Sequence, residues 1–191
     1  MQWSRMTFLA VAAAGIGYAA WQTEVFSFAQ AADKSADGVK LQILDWEATQ
    51  KLIASKKGKV VVVDAWSTSC IPCMKEFPNL VALHQKHGKD VACVSLNLDY
   101  IGLAAKPPEF YRERVLKFLT DKKAEFDNVL SNVESDKMYE NLEIPSIPAV
   151  LVYDRQGKLV KTFDSSEAST EEEAFTYADV TALVEKLLRT K

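Results

Sequence analysis

The chain has 191 residues, with 23 basic and 26 acidic side chains and a formal net charge of −3 at pH 7. This length accommodates one ordinary domain with short appendages rather than two domains. The slightly acidic balance and the lack of a basic run in the sequence argue against a nucleic-acid-binding protein. Three cysteines are too few for a scaffold held together by disulfide bonds.

Residues 1–31 are predicted to be a targeting segment rather than part of the fold. Arg5 precedes an uncharged, alanine-rich run over residues 6–23, which has the basic start and apolar centre of a signal peptide, and Ala29-Gln30-Ala31 offers a cleavage site. The same run is roughly long enough to span a thin bilayer as one helix. We therefore expect an exported protein, either soluble in the periplasm after cleavage near that site or anchored by an N-terminal helix facing the periplasm.

Residues 32–40 are small and polar and are predicted to form a linker, followed by one domain over residues 41–191. The predicted strands are residues 60–63, 91–98, 126–130, 149–153 and 159–163, and helices are predicted to begin near Asp45, Cys70, Pro107, Ser131 and Thr176. Right-handed crossovers make the first strands parallel, and the tight turn between the last two makes that pair antiparallel. The predicted fold class is α/β, with a central mixed β-sheet and helices on both faces.

Two of these helices carry more detailed expectations. The helix after Pro107 is predicted to turn one apolar stripe inward, formed by Phe110, Val115, Phe118 and Leu119. The helix after Ser131 is predicted to begin with a capping box between Ser131 and Glu134.

Cys70 and Cys73 form a C-x-x-C sequence at the predicted start of a helix. Unpaired amide groups and the positive end of the helix dipole favour a thiolate at Cys70, and the thiolate is the species that attacks a disulfide. Cys73 lies one turn further in, so Cys70 is expected to attack a substrate disulfide and Cys73 to resolve the mixed disulfide. Pro72 removes one backbone N–H from this turn, which predicts a pair that is less oxidising than one without proline.

Two carboxyl groups are candidates for moving the protons of this exchange. Asp64 directly follows four valines, so burial is expected to raise its pKa. Glu76 follows Cys73 by about one turn, and its charge is expected to influence the pH dependence of the thiol pair more than Asp64 does.

The third cysteine and both histidines are predicted to be structural. Cys93 lies within an apolar strand and is expected to be a small buried hydrophobic residue. His84 and His87 lie two or more turns beyond the cysteine pair, so a zinc site has weak support and no metal is predicted. A copper(I) chaperone that uses the two thiolates is an alternative, because soft thiolates select that ion.

Several landmarks at matching spacing make the chain resemble the thioredoxin superfamily. They are Val63-Asp64-Ala65-Trp66, Cys70-Ile71-Pro72-Cys73, Pro78 and Ile147-Pro148. The run from Cys70 to Pro78 resembles the TlpA/ResA/DsbE-like periplasmic thiol-disulfide reductases, and the resemblance covers roughly residues 41–188. It implies a thioredoxin fold, a redox-active pair at Cys70 and Cys73, and a cis-proline at Pro148.

The resemblance also implies roles for other residues. The segment Ser146-Ile147-Pro148 and Trp66 are implied to contact the substrate, the former by offering backbone groups to an extended polypeptide. Asp64 matches the buried aspartate of thioredoxin, and Glu76 matches the buried glutamate of the ResA-like group, which is implicated in proton handling.

Two positions depart from the superfamily pattern. Ser69 stands where a tryptophan commonly precedes the first cysteine, and Ser95 stands where thioredoxin has the lysine that partners the aspartate. The first departure bears on substrate docking, and the second leaves open which group balances Asp64.

The predicted function is therefore thiol-disulfide oxidoreduction, as a monomeric dithiol reductase of exported proteins that contributes to cell redox homeostasis. No cofactor is predicted, because the cysteines carry the electrons and the sequence has no Rossmann fingerprint. The expected partners are disulfide-containing exported proteins, with apocytochrome c and cytochrome c maturation as one candidate, and a membrane thiol-electron transporter that supplies reductant. A thioredoxin-fold oxidase is a further alternative, against which Pro72 and the lack of a histidine between the cysteines count.

Overall fold

The run of four valines forms the centre of the molecule. In the computed structural model, which describes residues 33–34, 38–164 and 175–190, it belongs to a strand that is buried along its whole length. The strands are β1 (Asp33–Lys34), β2 (Lys40–Leu44), β3 (Val60–Trp66), β4 (Val91–Asn97), β5 (Asp127–Ser131), β6 (Ala149–Tyr153) and β7 (Leu159–Phe163). The helices are α1 (Trp46–Ala54), α2 (Ile71–His87), α3 (Pro108–Asp121), α4 (Ser135–Leu142) and α5 (Tyr177–Arg189).

The seven strands form one mixed sheet in the order β1-β2-β5-β4-β3-β6-β7. β4 is parallel to both β3 and β5, whereas β6 is antiparallel to β3 and to β7. Crossover helices between β3, β4 and β5 account for the parallel pairs, and the tight turn between β6 and β7 accounts for the antiparallel one. The predicted α/β fold with a mixed sheet is confirmed.

The first strands were not predicted. β2 lies parallel to β5, and β1 pairs antiparallel with β2, so the segment predicted as a linker over residues 32–40 is partly incorporated in the sheet. β2 is short and only partly buried, which leaves too weak an alternation of apolar and polar residues to identify a strand. The predicted signal or anchor segment, residues 1–31, lies outside the described residues. Among the residues that are described, no helix is long and apolar enough to cross a membrane.

Side chains of β3 point alternately into two apolar layers. Val60, Val62 and Trp66 pack in the layer formed with α2, α3 and α5, and the intervening Val61 and Val63 pack in the layer formed with α1 and α4. Because successive residues of a strand face opposite sides of the sheet, Asp64 falls on the side covered by α2 and α5.

One local prediction was wrong at a single residue, and another was wrong throughout. The inward positions predicted at Val115, Phe118 and Leu119 on α3 are confirmed, and Phe110 is the exception. On α3 the buried positions are Tyr111, Val115 and Leu119, at intervals of four residues, and Phe110 is 56% exposed on the adjoining face. The capping box predicted at Ser131 does not form, because Ser131 ends β5 and its hydroxyl group hydrogen-bonds within the turn to Val133. The helix that follows begins only after Glu134, which makes no side-chain capping bond.

A buried asparagine joins the edge of the sheet to its centre. The Asn128 amide nitrogen donates to the carbonyl oxygens of Lys40, Ala124 and Phe126, and its side-chain oxygen accepts from the Ser95 hydroxyl at 2.8 Å. A buried side-chain amide is tolerated in a core only when its donors and acceptor are used in this way. Asn128 therefore fixes β2 against β5 at the position where the sequence pattern is weakest.

Replacing Asn128 by alanine is expected to lower the free energy of unfolding by about 2–4 kcal/mol, because buried carbonyl groups and the Ser95 hydroxyl lose their partner. Urea denaturation of the disulfide-bonded protein measures this change. Asn132→Ala, at an exposed position just after β5, is the matched control and should change stability by less than about 0.5 kcal/mol. Equal effects of the two variants would show that the Asn128 network does not stabilise the sheet.

Candidate active site

The cysteine pair lies at the start of α2, immediately after the loop that follows β3. Cys70 is the N-cap residue of this helix, and the backbone N–H of Cys73 donates to the Cys70 Sγ atom at 3.2 Å. The two cysteines are joined by a disulfide bond, with 5.3 Å between their Cα atoms. The site is thus in its oxidised state, and the Cys70 sulfur occupies the position where a helix N-terminus favours negative charge.

The two sulfur-bearing residues differ in their access to solvent. Cys73 is only 3% exposed, whereas Cys70 is partly exposed and the adjacent Ile71 is 75% exposed. A second molecule can therefore reach Cys70 and not Cys73. This asymmetry is the one that the attacking and resolving roles require.

An aspartate that the sequence analysis missed holds the loop before Cys70. The Asp99 carboxylate accepts hydrogen bonds from the Ser67 hydroxyl at 2.7 Å and from the backbone N–H and hydroxyl of Thr68 at 2.7 and 2.6 Å. Arg114 of α3 donates to the same carboxylate from two nitrogens, at 2.9 and 3.1 Å, which compensates the buried charge. The position of Asp99, two residues after the end of β4, could have identified it, because adjacent parallel strands end at the same edge of a sheet.

The superfamily tryptophan before the first cysteine is replaced here by part of this polar loop. The Ser69 hydroxyl lies 2.8 Å from the Ser67 hydroxyl, and the Ser69 backbone N–H donates to the Ser67 oxygen at 3.1 Å. Hydrogen bonds among Ser67, Ser69 and Asp99 therefore order this segment.

A groove of about 510 Å³ opens beside Cys70. Its walls include apolar side chains of Ile71, Ile101 and Ile147, together with the polar residues Ser69 and Asp99. The Ile147–Pro148 peptide bond is cis, as predicted, and Ser146 before it is exposed. The predicted substrate segment and Cys70 are thus brought to one groove.

Trp66 does not belong to that surface. Its side chain is fully buried and packs against Phe77, with 5.0 Å between ring centroids, and against Phe118 at 4.7 Å. The prediction that Trp66 contacts the substrate is therefore wrong for this oxidised state. The alternation along β3 directs Trp66 into the apolar layer rather than towards the end of the sheet.

Asp64 is a buried carboxyl group, 4% exposed, in the layer that contains Cys73. Burial raises its pKa to about 7, a hydrogen bond from the Tyr177 hydroxyl opposes that rise, and the nearby charge of Glu76 adds to it. Ser95 pairs with Asp64 between the strands, but its hydroxyl donates to Asn128. Tyr177 from α5 therefore supplies the partner that the sequence analysis left open.

Tyr177 was not predicted as a site residue. It lies three and seven residues before Val180 and Val184, the buried positions of α5, and is itself buried. A hydroxyl-bearing residue within an inward apolar stripe was the available signal, because a buried tyrosine oxygen normally has a hydrogen-bond partner.

Glu76 occupies a more open position than Asp64. Its carboxylate accepts from the side-chain amide of Asn79 at 2.9 Å, and it lines a cleft of about 530 Å³ between α2 and α5 together with Tyr177. Glu76 therefore lies beside the cleft, whereas burial raises the pKa of Asp64, as expected from its place after the four valines. That Glu76 influences the pH dependence of the thiol pair more than Asp64 does stays a prediction.

The remaining candidates lie apart from the cysteine pair. Cys93 is buried in β4, and burial together with the Asp64 charge raises its pKa to about 12, in agreement with the structural role predicted for it. His84 packs against the Phe126 ring at 5.2 Å, and His87 Nε2 lies 3.8 Å from a Glu185 oxygen. Within the part of the chain that the structure describes, no three metal-ligating side chains come together.

Comparison with known proteins agrees with this geometry. A family described as thioredoxin-like matches residues 58–159. The thiol-disulfide oxidoreductase ResA of Bacillus cereus is 23% identical over 172 residues, which cover 90% of this chain and 92% of that protein. Among solved structures, a thiol:disulfide interchange protein DsbE from Chlorobium tepidum is 27% identical with a TM-score of 0.50, covering 71% of this chain and 82% of that one. A DsbF homologue from Corynebacterium diphtheriae, 21% identical over 71% of this chain and 76% of its own, has a TM-score of 0.54 and shares the fold.

The buried Asp64 carboxyl group predicts a pH-dependent stability. Between its ordinary value of 3.8 and about 7, the folded protein retains a proton that the unfolded chain releases, so wild-type stability should fall as pH rises through this window. Asp64→Asn removes this titration, and its stability relative to wild type should rise by a few kcal/mol from pH 4 to pH 8.

Urea denaturation of the disulfide-bonded proteins at several pH values measures this difference. Asp136→Asn, at an exposed position of α4, is the control and should differ from wild type by a nearly constant amount between pH 5 and pH 8. A constant difference for Asp64→Asn as well would contradict the raised pKa.

Proposed function

This chain belongs to the thioredoxin-like family, and on that premise we propose that it acts as a thiol-disulfide oxidoreductase that reduces disulfide bonds in exported proteins. The observation that carries the proposal is the unequal exposure of the two sulfurs at the start of α2. Cys70 can be reached from outside at a position that favours a thiolate, and Cys73 is buried behind it.

The reduced pair would act in two exchange steps. The Cys70 thiolate attacks one sulfur of a substrate disulfide, which breaks that bond, forms a mixed disulfide and releases the other substrate sulfur as a thiolate that takes up a proton. Cys73 then attacks the Cys70 sulfur, the bond from Cys70 to the substrate breaks, and the second substrate thiol leaves. The product is the Cys70–Cys73 disulfide seen in the structure, and the pair itself supplies both electrons without a cofactor.

The second step requires that the Cys73 thiol lose its proton. Asp64 lies in the same apolar layer and has a pKa of about 7, so near neutral pH a substantial fraction of it is ionised and able to accept that proton. The departing substrate thiolate takes up its proton from solvent, because the buried Asp64 does not line the groove beside Cys70. Asp64 is therefore assigned the role of proton acceptor in resolution.

The groove beside Cys70 is suited to an extended polypeptide. Ile71, Ile101 and Ile147 offer an apolar surface, and the exposed Ser146 and half-buried Pro148 lie just before β6, where an added segment can pair with the backbone. We assign the bound segment to the residues that flank a substrate disulfide.

The N-terminal sequence supports the cellular setting that we propose. The basic and apolar N-terminal segment supports export, with the domain either released in the periplasm or anchored at the outer face of the membrane. A membrane thiol-electron transporter would regenerate the reduced pair, because nicotinamide cofactors are confined to the cytoplasm. Apocytochrome c, which must hold its haem-binding cysteines reduced, is the client that we propose to test first.

Substituting each cysteine in turn separates the attacking role from the resolving role. In an insulin-reduction assay with dithiothreitol, Cys70→Ser should lose all activity above background, because the accessible nucleophile is gone. Cys73→Ser should retain attack but accumulate a mixed disulfide, visible as a covalent adduct on a non-reducing gel. Cys93→Ser is the matched control and should reduce insulin at the wild-type rate, since its thiol is buried away from the groove. Full turnover by Cys70→Ser would refute the assignment.

The reduction potential decides between reductase and oxidase. Pro72 is the second residue of α2 and supplies no N–H to a Cys70 thiolate, so the disulfide should be the relatively stable form. We expect a potential nearer the thioredoxin couple at about −270 mV than the DsbA couple at about −120 mV, measured by equilibration with glutathione. A value above about −180 mV, that of protein disulfide isomerase, would favour the oxidase instead.

A further inference from the structure

The Asp64 carboxyl group lies on the apolar side of β3 that α2 and α5 cover. The layer around it is formed by apolar side chains such as Val62, Trp66 and Phe77. A carboxyl group in such surroundings is costly to ionise unless a donor reaches it. Among the described residues, the Tyr177 hydroxyl is the only hydrogen-bond donor to the Asp64 side chain.

The strands beside Asp64 do not supply a competing donor. Ser95, its neighbour on β4, donates to Asn128 at 2.8 Å, and the Cys93 sulfur lies 3.9 Å from the Leu80 carbonyl oxygen. The contact therefore depends on a residue 113 positions away in sequence, on the last helix of the chain.

The start of α5 holds Tyr177 in place. Thr176, the N-cap residue, donates to the Asp179 carboxylate from its backbone N–H at 2.9 Å and from its hydroxyl at 2.8 Å. Val180 and Val184, both fully buried, pack the same helix against the sheet. The cap at Thr176 and the two buried valines thus fix the first turn of α5, which limits the positions that the Tyr177 hydroxyl can take.

We propose that Tyr177 is a positioning residue of the redox site, whose hydroxyl group fixes the orientation and the charge of the Asp64 carboxyl on the side of the sheet covered by the Cys70–Cys73 helix. The kinetic part of this proposal rests on the proposed function, whereas the contact and its effect on Asp64 do not.

Several charged or titratable groups surround this pair. Glu76 approaches from α2, Cys93 from β4 and Tyr177 from α5, and the Lys86–Glu185 ion pair lines the same cleft as Glu76. Glu76 and burial favour the protonated form of Asp64, and the Tyr177 hydrogen bond opposes them. Burial and the Asp64 charge raise the pKa of Tyr177 well above its usual value, so the tyrosine keeps its proton and remains a donor.

The consequence concerns the resolving step. Only ionised Asp64 can accept the Cys73 proton, and Tyr177 increases the ionised fraction near neutral pH. Without the hydroxyl, Asp64 should hold its proton to higher pH, and resolution should slow on the acidic side of the profile.

Tyr177→Phe in the full-length protein is the direct test, because it removes one oxygen atom and keeps the ring. Carbon-13 NMR of the labelled Asp64 carboxyl group should show its titration midpoint rising by about one pH unit, the size expected for one buried hydrogen bond. The acidic limb of the rate profile for mixed-disulfide resolution should move by the same amount, which makes resolution up to about tenfold slower near pH 6. An unchanged carboxyl titration would overturn the proposal.

Two further variants separate positioning from a general structural effect. Tyr111→Phe removes a hydroxyl from an equally buried tyrosine and should leave the Asp64 titration unchanged. In an Asp64→Asn background, Tyr177→Phe should no longer shift the rate profile. If Tyr177→Phe slowed resolution equally at every pH, in both the wild-type and the Asp64→Asn background, Tyr177 would have a packing role. That result would refute a positioning role.

A chemical variant covers the case in which Tyr177→Phe does not fold. Difluorotyrosine at position 177 keeps the hydroxyl group and makes it a stronger donor, so the Asp64 midpoint should move to lower pH, opposite to the phenylalanine variant. If the protein does not reduce disulfides at all, the proposed function fails, and the carboxyl titration still decides whether Tyr177 controls Asp64.

Discussion

The complete burial of β3 is the constraint on which the site depends. A strand whose neighbours on both sides are hydrogen-bonded and whose two faces are covered has a fixed direction and register, so the loop at its end has a fixed starting point. Cys70 begins a helix at that point, and Asp64 is held within the strand itself. The accessible sulfur and the buried carboxyl group are therefore positioned by one rigid element.

Polar contacts position the parts of the site that apolar packing does not fix. Asp99 orders the segment before Cys70, Asn128 joins the edge strand to the sheet, and Tyr177 reaches Asp64 from the last helix. Each is a buried polar group with its partners present, so the loss of one partner costs more than the bond itself contributes. These three contacts connect segments that are distant in sequence, and they make the geometry of the site a property of the whole domain.

The sequence was sufficient for the fold class, the central strands, the thiol pair and the cis bond at Pro148. The strands and the thiol pair leave local signals, a valine run and a C-x-x-C at a helix start, whereas the cis bond was expected only from the resemblance to the thioredoxin superfamily. It was insufficient where a long-range contact decides the outcome. Trp66 was implied to contact the substrate but is buried by the alternation of β3. Neither Asp99 nor Tyr177 was identified, because their partners lie 31 and 113 residues away. The short β2 was missed for the same reason, since its pairing with β5 and not its own composition makes it a strand.

The third cysteine, Cys93, can report on the opening of the central sheet. Cys93 pairs with Val62 in the middle of the sheet, is 2% exposed, and has a pKa raised to about 12. Because the thiolate is the reactive species, this sulfur is inert towards alkylating reagents as long as β3 and β4 stay together. In a reduced, folded molecule such a reagent should reach Cys70 but neither Cys73 nor Cys93, whereas an unfolded molecule exposes all three thiols, Cys93 as the third. The rate at which the third becomes labelled would time the separation of the central strands, without any probe added to the protein.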